Sequence, residues 1–237
     1  MKKFALLLGS FVMTPMILQA QTAEEIVNRH IDAIGGKEVL EKITSQVIES
    51  SLNVMGSDLA STSTLLVGKG FKNVANFNGQ EIIQSITPTS GWMINPLAGQ
   101  VDATAMPEDQ VKDAQSALQI GGALYNYAAK GSKVVLDGTE NIEGVKAYKI
   151  KLTNKEGKES FYFIDPTTYY VLKTESTANA QGQDITVVST FSNYKKTDFG
   201  YVIPYTTVRN QGFEMTINVN TVEFNKAIDP KIFDMPK

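Results

Sequence analysis

Residues 145–152 read VKAYKIKL, and residues 213–219 read FEMTINV. In the first stretch the apolar side chains at positions 148, 150 and 152 alternate with Lys149 and Lys151, and the second stretch alternates in the same way. Because successive side chains of a strand point to opposite faces of a sheet, this period of two predicts strands with one apolar and one polar face. Similar segments, each followed by turn residues, recur between positions 133 and 224, which predicts an antiparallel sheet around an apolar interior.

The remainder of the chain adds further strands and a few helices. Short strand-like segments separated by Gly, Asn and Pro fill residues 46–95, so the whole chain is predicted to hold about 11–12 strands. In the last strand the apolar side chains change from odd positions through Val219 to even positions from Val222, which predicts a β-bulge near Thr221. Helical spacing and start signals predict three helical stretches, at residues 23–34, at residues 37–43 and from Pro107 onward. The predicted fold class is mainly β (α+β).

The first 20 residues have the composition of a cleaved secretory signal. Lys2 and Lys3 precede an apolar run from Phe4 to Met13, and the small Ala20 stands before a polar segment. That run is too short for the ~20 residues that a spanning helix needs. Removal of residues 1–20 would leave residues 21–237, which no Pro/Ser-rich linker divides, so we expect one domain located in the periplasm.

Charge and cysteine content exclude several classes of function. The chain has 22 basic and 25 acidic residues, and its net charge is −3, whereas nucleic-acid-binding proteins usually carry a basic patch. We therefore expect no nucleic-acid partner. Cysteine is absent, which excludes disulfides, thiolate metal sites and the lipid-modified N-terminal cysteine that anchors bacterial lipoproteins.

The sequence offers little for catalysis or for metal binding. His30 is the single histidine and lies within the apolar stripe of the first predicted helix, where a packed helix residue is the expected reading. No G-x-S-x-G motif is present to position a nucleophilic serine. Asp165, Asp184 and Asp198 lie at predicted turns, where aspartate is an ordinary turn former. We expect a non-catalytic protein with no metal and no cofactor.

The order of several short motifs resembles that of a known family. An amphipathic helix ends at Gly35-Gly36, strands follow, residues 91–96 read GWMINP, a helical insertion comes next, and residues 163–166 read FIDP after the YKIKL segment at 148–152. In this order the chain resembles the LolA-like family of outer-membrane lipoprotein-sorting proteins over nearly all of residues 21–237. The resemblance implies a curved antiparallel sheet that forms an unclosed barrel, with helices as a lid over an apolar cavity for acyl chains.

One position departs from the family pattern. LolA uses an arginine on an early strand to hold its lid closed, and the matching position in this chain is Gly70. Lys69 or Lys72 could take that role. If neither does, the resemblance does not extend to the way in which LolA holds and releases lipoproteins.

Three classes of function follow from these observations. The first is a non-catalytic carrier or sensor of a lipid, an acyl chain or an acylated protein, and the second is an interaction module of the same fold with a filled core, which senses the envelope through a membrane-protein partner. The third is an enzyme. The polar outer faces of the strands favour a monomer.

For the first class, alternation within the strands predicts nine cavity-lining residues: Trp92, Ile94, Tyr148, Ile150, Leu152, Phe163, Phe213, Met215 and Ile217.

Overall fold

The computed structural model describes residues 21–54, 56–180 and 183–236. The predicted signal peptide, residues 1–20, lies outside these ranges. Thirteen strands of the described chain form one antiparallel sheet, which confirms the predicted fold class. In chain order the strands are β1 Ser45–Val54, β2 Ser57–Leu66, β3 Gly70–Phe77, β4 Gln80–Ile86, β5 Gly91–Asn95, β6 Gln100–Ala105, β7 Lys133–Ile142, β8 Val145–Thr153, β9 Glu159–Ile164, β10 Val171–Ala180, β11 Gln183–Lys196, β12 Val202–Asn210 and β13 Glu214–Phe224.

The sheet is an open arc. Its strand order is β6-β5-β4-β3-β2-β1-β13-β12-β11-β10-β9-β8-β7, so β6 and β7 are the two edges and do not pair with each other. Apart from β6 and β7, strands that follow each other in the sequence are paired, and β1 also pairs with β13, which joins the first and last parts of the chain. The sheet is therefore an unclosed half-barrel, as predicted.

Two local features of the sheet bear on the sequence predictions. The bulge in the last strand is confirmed, because Glu49 pairs with Thr221 and the next residue, Ser50, pairs with Val219. Asn220 is thus the extra residue of β13. Strand β6 was not predicted, since its sequence QVDATA lacks clear alternation, and its pairing with β5 is irregular.

Three short α-helices accompany the sheet: α1 Ala23–Ala33, α2 Gly36–Glu41 and α3 Glu108–Asp113. Helix α1 begins with a capping box, in which Thr22 Oγ1 accepts from the Glu25 N–H at 3.2 Å and Glu25 Oε2 accepts from the Thr22 N–H at 3.0 Å. Pro107 is the N-cap of α3. Single 3₁₀ turns lie at Pro96–Ala98, Ala114–Leu118 and Pro230–Phe233. Among the described helices, none combines the length and the apolar character needed to cross a bilayer.

The helices pack on one face of the sheet, which we call the helix face. Ile26 and Val27 of α1 pack against Ile150 of β8 and Ile164 of β9. The second cluster joins the end of α1 and α2 to β2 and β12, and the third joins α3 and the 114–118 turn to β4. Each fully buried side chain of this kind stabilises the fold by about 1.5–3 kcal/mol.

The opposite face of the sheet, the outer face, is covered at one place by the C-terminal segment. The backbone carbonyl of Phe233 accepts hydrogen bonds from Trp92 Nε1 at 2.8 Å and from Ser85 Oγ at 3.0 Å. The Phe233 side chain is buried, and its ring lies against Gly70. This contact fixes the chain end to strands β3, β4 and β5.

Candidate functional site

A cavity of about 200 Å³ lies between α1, the 121–124 loop and the middle of the sheet. Its walls come from strands β9 to β12 on one side and from α1 and the loop on the other, and they expose more apolar than polar surface. The lining residues are His30, Ile34, Gly121, Gly122, Ala123, Leu124, Tyr162, Val171, Thr174, Phe191, Tyr194, Tyr201, Val202 and Pro204. This cavity is the candidate binding site, since ligand sites are mostly apolar concavities with a few polar groups.

His30 is held in the cavity wall by one backbone hydrogen bond. The side chain is 5% exposed, and its Nδ1 lies 2.8 Å from the carbonyl oxygen of Tyr169. Because a carbonyl can only accept, Nδ1 carries the hydrogen, and in the neutral ring Nε2 is left as an acceptor. Burial lowers the pKa of His30, and the hydrogen bond to Tyr169 opposes this shift only in part. The imidazole is therefore neutral at pH 7.

The Tyr169 carbonyl is positioned by the tight turn between β9 and β10. Asp165 Oδ1 accepts from the Thr167 and Thr168 N–H groups at 2.6 and 3.0 Å, and Tyr169 takes a positive φ of 58°. Asp165 is thus a turn former, as the sequence indicates. Arg29 also fixes Tyr169, since its guanidinium donates to the Tyr169 hydroxyl at 2.9 Å.

Three tyrosines contribute hydroxyl groups to the cavity walls. The Tyr194 hydroxyl donates to the Val171 carbonyl at 2.6 Å, and its ring stacks on Tyr170 with centroids 4.4 Å apart. Burial raises the pKa of Tyr162 to about 12 and also raises the pKa of Tyr194 and of Tyr201. All three tyrosines are therefore neutral hydrogen-bonding groups at physiological pH.

The cavity lining contains no Lys, Arg, Asp or Glu among the described residues. Lys130 contacts the loop from outside the lining, since its Nζ donates to the Gly122 carbonyl at 3.0 Å. Burial lowers the pKa of Lys130 to about 8. Lys130 is not part of the lining, so the cavity wall itself is neutral.

The nine residues predicted from alternation lie outside this lining, in three different places. Tyr148, Ile150 and Leu152 lie on the helix face, where they pack in the cluster beneath α1. Ile150 and Leu152 are fully enclosed by protein side chains. These three residues support the wall next to the cavity and do not face its interior.

Met215 and Ile217 lie on strand β13, on the same face of the sheet as the cavity, because Ile217 pairs with Thr207 and Thr207 pairs with the lining residue Phe191. Phe213 falls in the turn before β13 and is 43% exposed. Met215 and Ile217 are half-buried, and Ile217 pairs across the ladder with Leu52 and with Thr207. None of the three reaches the cavity lining.

Trp92, Ile94 and Phe163 lie on the outer face, which differs from the prediction. Trp92 bonds to Phe233, and Ile94 follows it on the same face of β5, whereas Met93 packs against the α3 cluster. Phe163 pairs with Lys149 and Lys173 across the ladder, and the ammonium groups of both lie over its ring, 5.9 and 4.6 Å from the centroid. Alternation identified two faces for these strands but did not identify the face that the helices cover.

Gly70, which the resemblance aligns with the lid arginine of LolA, has a packing role here. A Cβ atom at this position would lie 2.3 Å from Cγ of Phe233, so only glycine fits beneath the ring. The Cβ direction also points to the outer face, away from the helices. A side chain at position 70 would therefore point away from α1 and the 121–124 loop. Lys72 lies over Trp92 on the same outer face, with its Nζ 5.4 Å from the ring centroid.

A second depression of about 410 Å³ lies beside β12 and β13. Its lining includes Lys196, Asp198, Phe199, Tyr205 and Phe224, and it exposes more polar than apolar surface. It is larger than the α1 cavity, but a polar lining with exposed charges is poorly suited to an apolar chain. We therefore place the candidate site in the α1 cavity.

The structure brings together no group of three or more His, Asp or Glu side chains that could hold a metal ion, within the ranges that it describes. His30 bonds to a backbone carbonyl, so no carboxylate orients it as a catalytic base through Nδ1.

The sequence matches no protein-family model and no curated protein. Solved structures show the same fold. They include a LolA superfamily protein from Nitrosomonas europaea, with a TM-score of 0.59 and 11% identity over 91% of this chain and 98% of that one. An outer-membrane lipoprotein-sorting protein domain from Vibrio parahaemolyticus has a TM-score of 0.57 and 15% identity, over 90% of this chain and 97% of that one. A DUF1329 family protein from Desulfovibrio piger has a TM-score of 0.56 and 14% identity, over 90% of this chain and 97% of that one. The chain therefore has the LolA-like fold.

Proposed function

We propose that this protein is a periplasmic, non-catalytic carrier or sensor that binds an acyl chain of a lipid or of a lipoprotein in the cavity beneath α1. The observation that carries the proposal is the mostly apolar, uncharged lining of that cavity, formed jointly by α1, the 121–124 loop and the sheet. The similarity of fold to a lipoprotein-sorting domain supports the same class of ligand. Residues 21–237 would act as one domain and as a monomer after removal of the signal peptide.

The size of the cavity determines how the ligand would enter. A volume of about 200 Å³ is below the ~300–1,000 Å³ of most ligand pockets and corresponds to roughly seven water volumes. It holds part of an acyl chain and not a whole lipid. A longer ligand would require the 121–124 loop or α1 to move away from the sheet, which is the role of a lid.

A homologous series of straight-chain alcohols tests the proposal. Burial of each methylene contributes about 0.8 kcal/mol, so the Kd is expected to fall about fourfold with each added carbon. Once the cavity is full, further carbons should change the Kd much less. A Kd that does not depend on chain length, or the absence of binding throughout the series, would contradict the carrier function.

The native ligand and the signal peptide are tested together by expression of the full chain in a Gram-negative host. The protein is purified from the periplasmic fraction, and its intact mass is measured under native and denaturing conditions. We expect an N-terminus at Gln21 and a stoichiometric lipid that is lost on denaturation. Retention of residues 1–20 would contradict the predicted cleavage site.

An interaction module of the same fold is the second candidate, and edge strand β6 is the observation that favours it. Val101 of β6 is 66% exposed, and Leu97 beside it is also exposed. An unpaired edge can bind an extended segment of another protein through backbone hydrogen bonds. Protein that carries no lipid and binds no alcohol, but still binds an envelope protein through β6, would favour this function.

A further inference from the structure

Three polar side chains of the cavity wall have unused hydrogen-bonding groups. His30 uses Nδ1 for Tyr169, and its Nε2 has no partner among the described residues. The hydroxyls of Tyr162 and Thr174 likewise have no hydrogen-bond partner within the described chain. None of the three groups is among the described polar atoms that protein encloses completely without a partner, so all three stay accessible from the cavity that their residues line, and a polar ligand atom placed there can reach them.

The unused groups have a defined character. The Nε2 atom of His30 is an acceptor, because the hydrogen of the neutral ring is on Nδ1. The hydroxyls of Tyr162 and Thr174 can donate as well as accept. The hydroxyl of Tyr194 is already committed to the Val171 carbonyl. The cavity can therefore satisfy a ligand group that both donates and accepts.

The same wall offers nothing to balance a charge. None of the lining residues is ionised at pH 7, since burial lowers the pKa of His30 and raises the pKa of Tyr162. Of the nearby cations, Lys130 bonds to the Gly122 carbonyl, and Arg29 bonds to the Tyr169 hydroxyl. A carboxylate placed among these groups would lose its hydration without gaining an ion pair, which carries a large desolvation penalty.

We propose that the cavity selects amphiphiles whose polar group is uncharged and can both donate and accept a hydrogen bond, such as an alcohol, over anions of the same chain length. His30 would accept a hydrogen bond from the ligand, and Tyr162 would donate one to it. This inference rests on the proposed carrier function and names the class of ligand that the site would take.

The test compares octan-1-ol with octanoate by isothermal titration calorimetry at about pH 8, where a carboxyl group that titrates near pH ~4 is fully ionised. We expect octan-1-ol to bind at least about tenfold more tightly than octanoate. Because an anion is also more soluble in water, the comparison is repeated in Tyr162→Phe and in His30→Phe. Loss of one hydrogen bond should raise the Kd for octan-1-ol by roughly two- to tenfold in each variant.

Tyr148→Phe is the matched control, since Tyr148 packs beneath α1 on the same face but does not line the cavity. It should leave the Kd for octan-1-ol within about twofold. Thermal unfolding of each variant shows whether it remains folded, and Tyr162→Phe removes only one oxygen atom. If octanoate binds as tightly as octan-1-ol, or if Tyr162→Phe has no more effect than the control, the inference is wrong while the carrier function stands. If neither probe binds, the carrier function itself fails.

Discussion

The indole N–H of Trp92 donates a 2.8 Å hydrogen bond to the backbone carbonyl of Phe233, which lies 141 residues further along the chain. The bond lies on the outer face, and the candidate cavity lies under α1 on the helix face. The single tryptophan therefore reports on the attachment of the C-terminal segment and not on the cavity.

Saturation with octan-1-ol is expected to leave the emission maximum of Trp92 unchanged, whereas unfolding should shift it to longer wavelength. The control is a Trp92→Phe/Tyr162→Trp double variant, which moves the fluorophore into the cavity wall and should respond to the ligand. A shift of the wild-type emission on saturation would indicate that Trp92 contacts the ligand after all.

Gly70→Ala is expected to lower the free energy of unfolding by about 1–3 kcal/mol, because the new methyl group would overlap the Phe233 ring. Binding of octan-1-ol should not change, since this contact is on the outer face. Urea denaturation of Gly70→Ala, Phe233→Ala and the double variant gives the coupling between the two positions. The cost of Gly70→Ala should largely disappear in the Phe233→Ala background. If Gly70→Ala lowers the free energy of unfolding equally with and without the Phe233 ring, the ring is not the reason that position 70 needs glycine.

The stability of the protein should decrease below pH 6.5 in part because of His30. Its pKa is lowered from 6.5 in the folded state, so above pH 6.5 the residue is neutral in both states. As the pH falls through 6.5 toward the lower folded-state pKa, the unfolded chain takes up the proton first, and the free energy of unfolding falls.

The measurement is urea denaturation at about pH 7.5 and about pH 5 of the wild type and of His30→Asn, whose amide can donate to Tyr169 but does not titrate. The wild type is expected to lose up to about 2 kcal/mol more than the variant between the two pH values. An equal loss in both proteins would show that the histidine titrates normally in the folded state.

Ile150→Ala is expected to destabilise the fold by about 2–5 kcal/mol, since Ile150 is completely buried under α1. The matched control is Val135→Ala on the neighbouring strand β7, where the side chain is 54% exposed and the change should stay within about 0.5 kcal/mol. Chemical denaturation measures both. A small effect of Ile150→Ala would mean that α1 does not pack on the sheet as described.

Alternation and turn residues were sufficient to predict twelve of the thirteen strands, since both are local properties of the chain. The segment from Tyr148 to Leu152 shows why, because apolar side chains alternate there with Lys149 and Lys151. The bulge opposite Ser50 was also predictable from the change of parity in β13. Strand β6 was missed because its ladder with β5 depends on a neighbour and not on a pattern of its own.

The identity of the covered face could not be predicted in the same way. Strand β5 has apolar residues on both faces, Trp92 on one and Met93 on the other. The packing of Phe233 on one side and of α3 on the other assigns these faces, and both partners are distant in sequence. The cavity itself draws on α1, a loop and four strands, so no single segment contains its signature.

Strands β6 and β7 end the sheet without meeting each other. In a closed barrel the number of strands and their stagger set the diameter. An arc has no such constraint, because its curvature can relax without breaking any hydrogen bond between neighbouring strands. The curvature of this half-barrel can therefore change, and under the proposed carrier function the length of acyl chain that the protein accepts would be set by the helices that cover the sheet and not by the sheet itself.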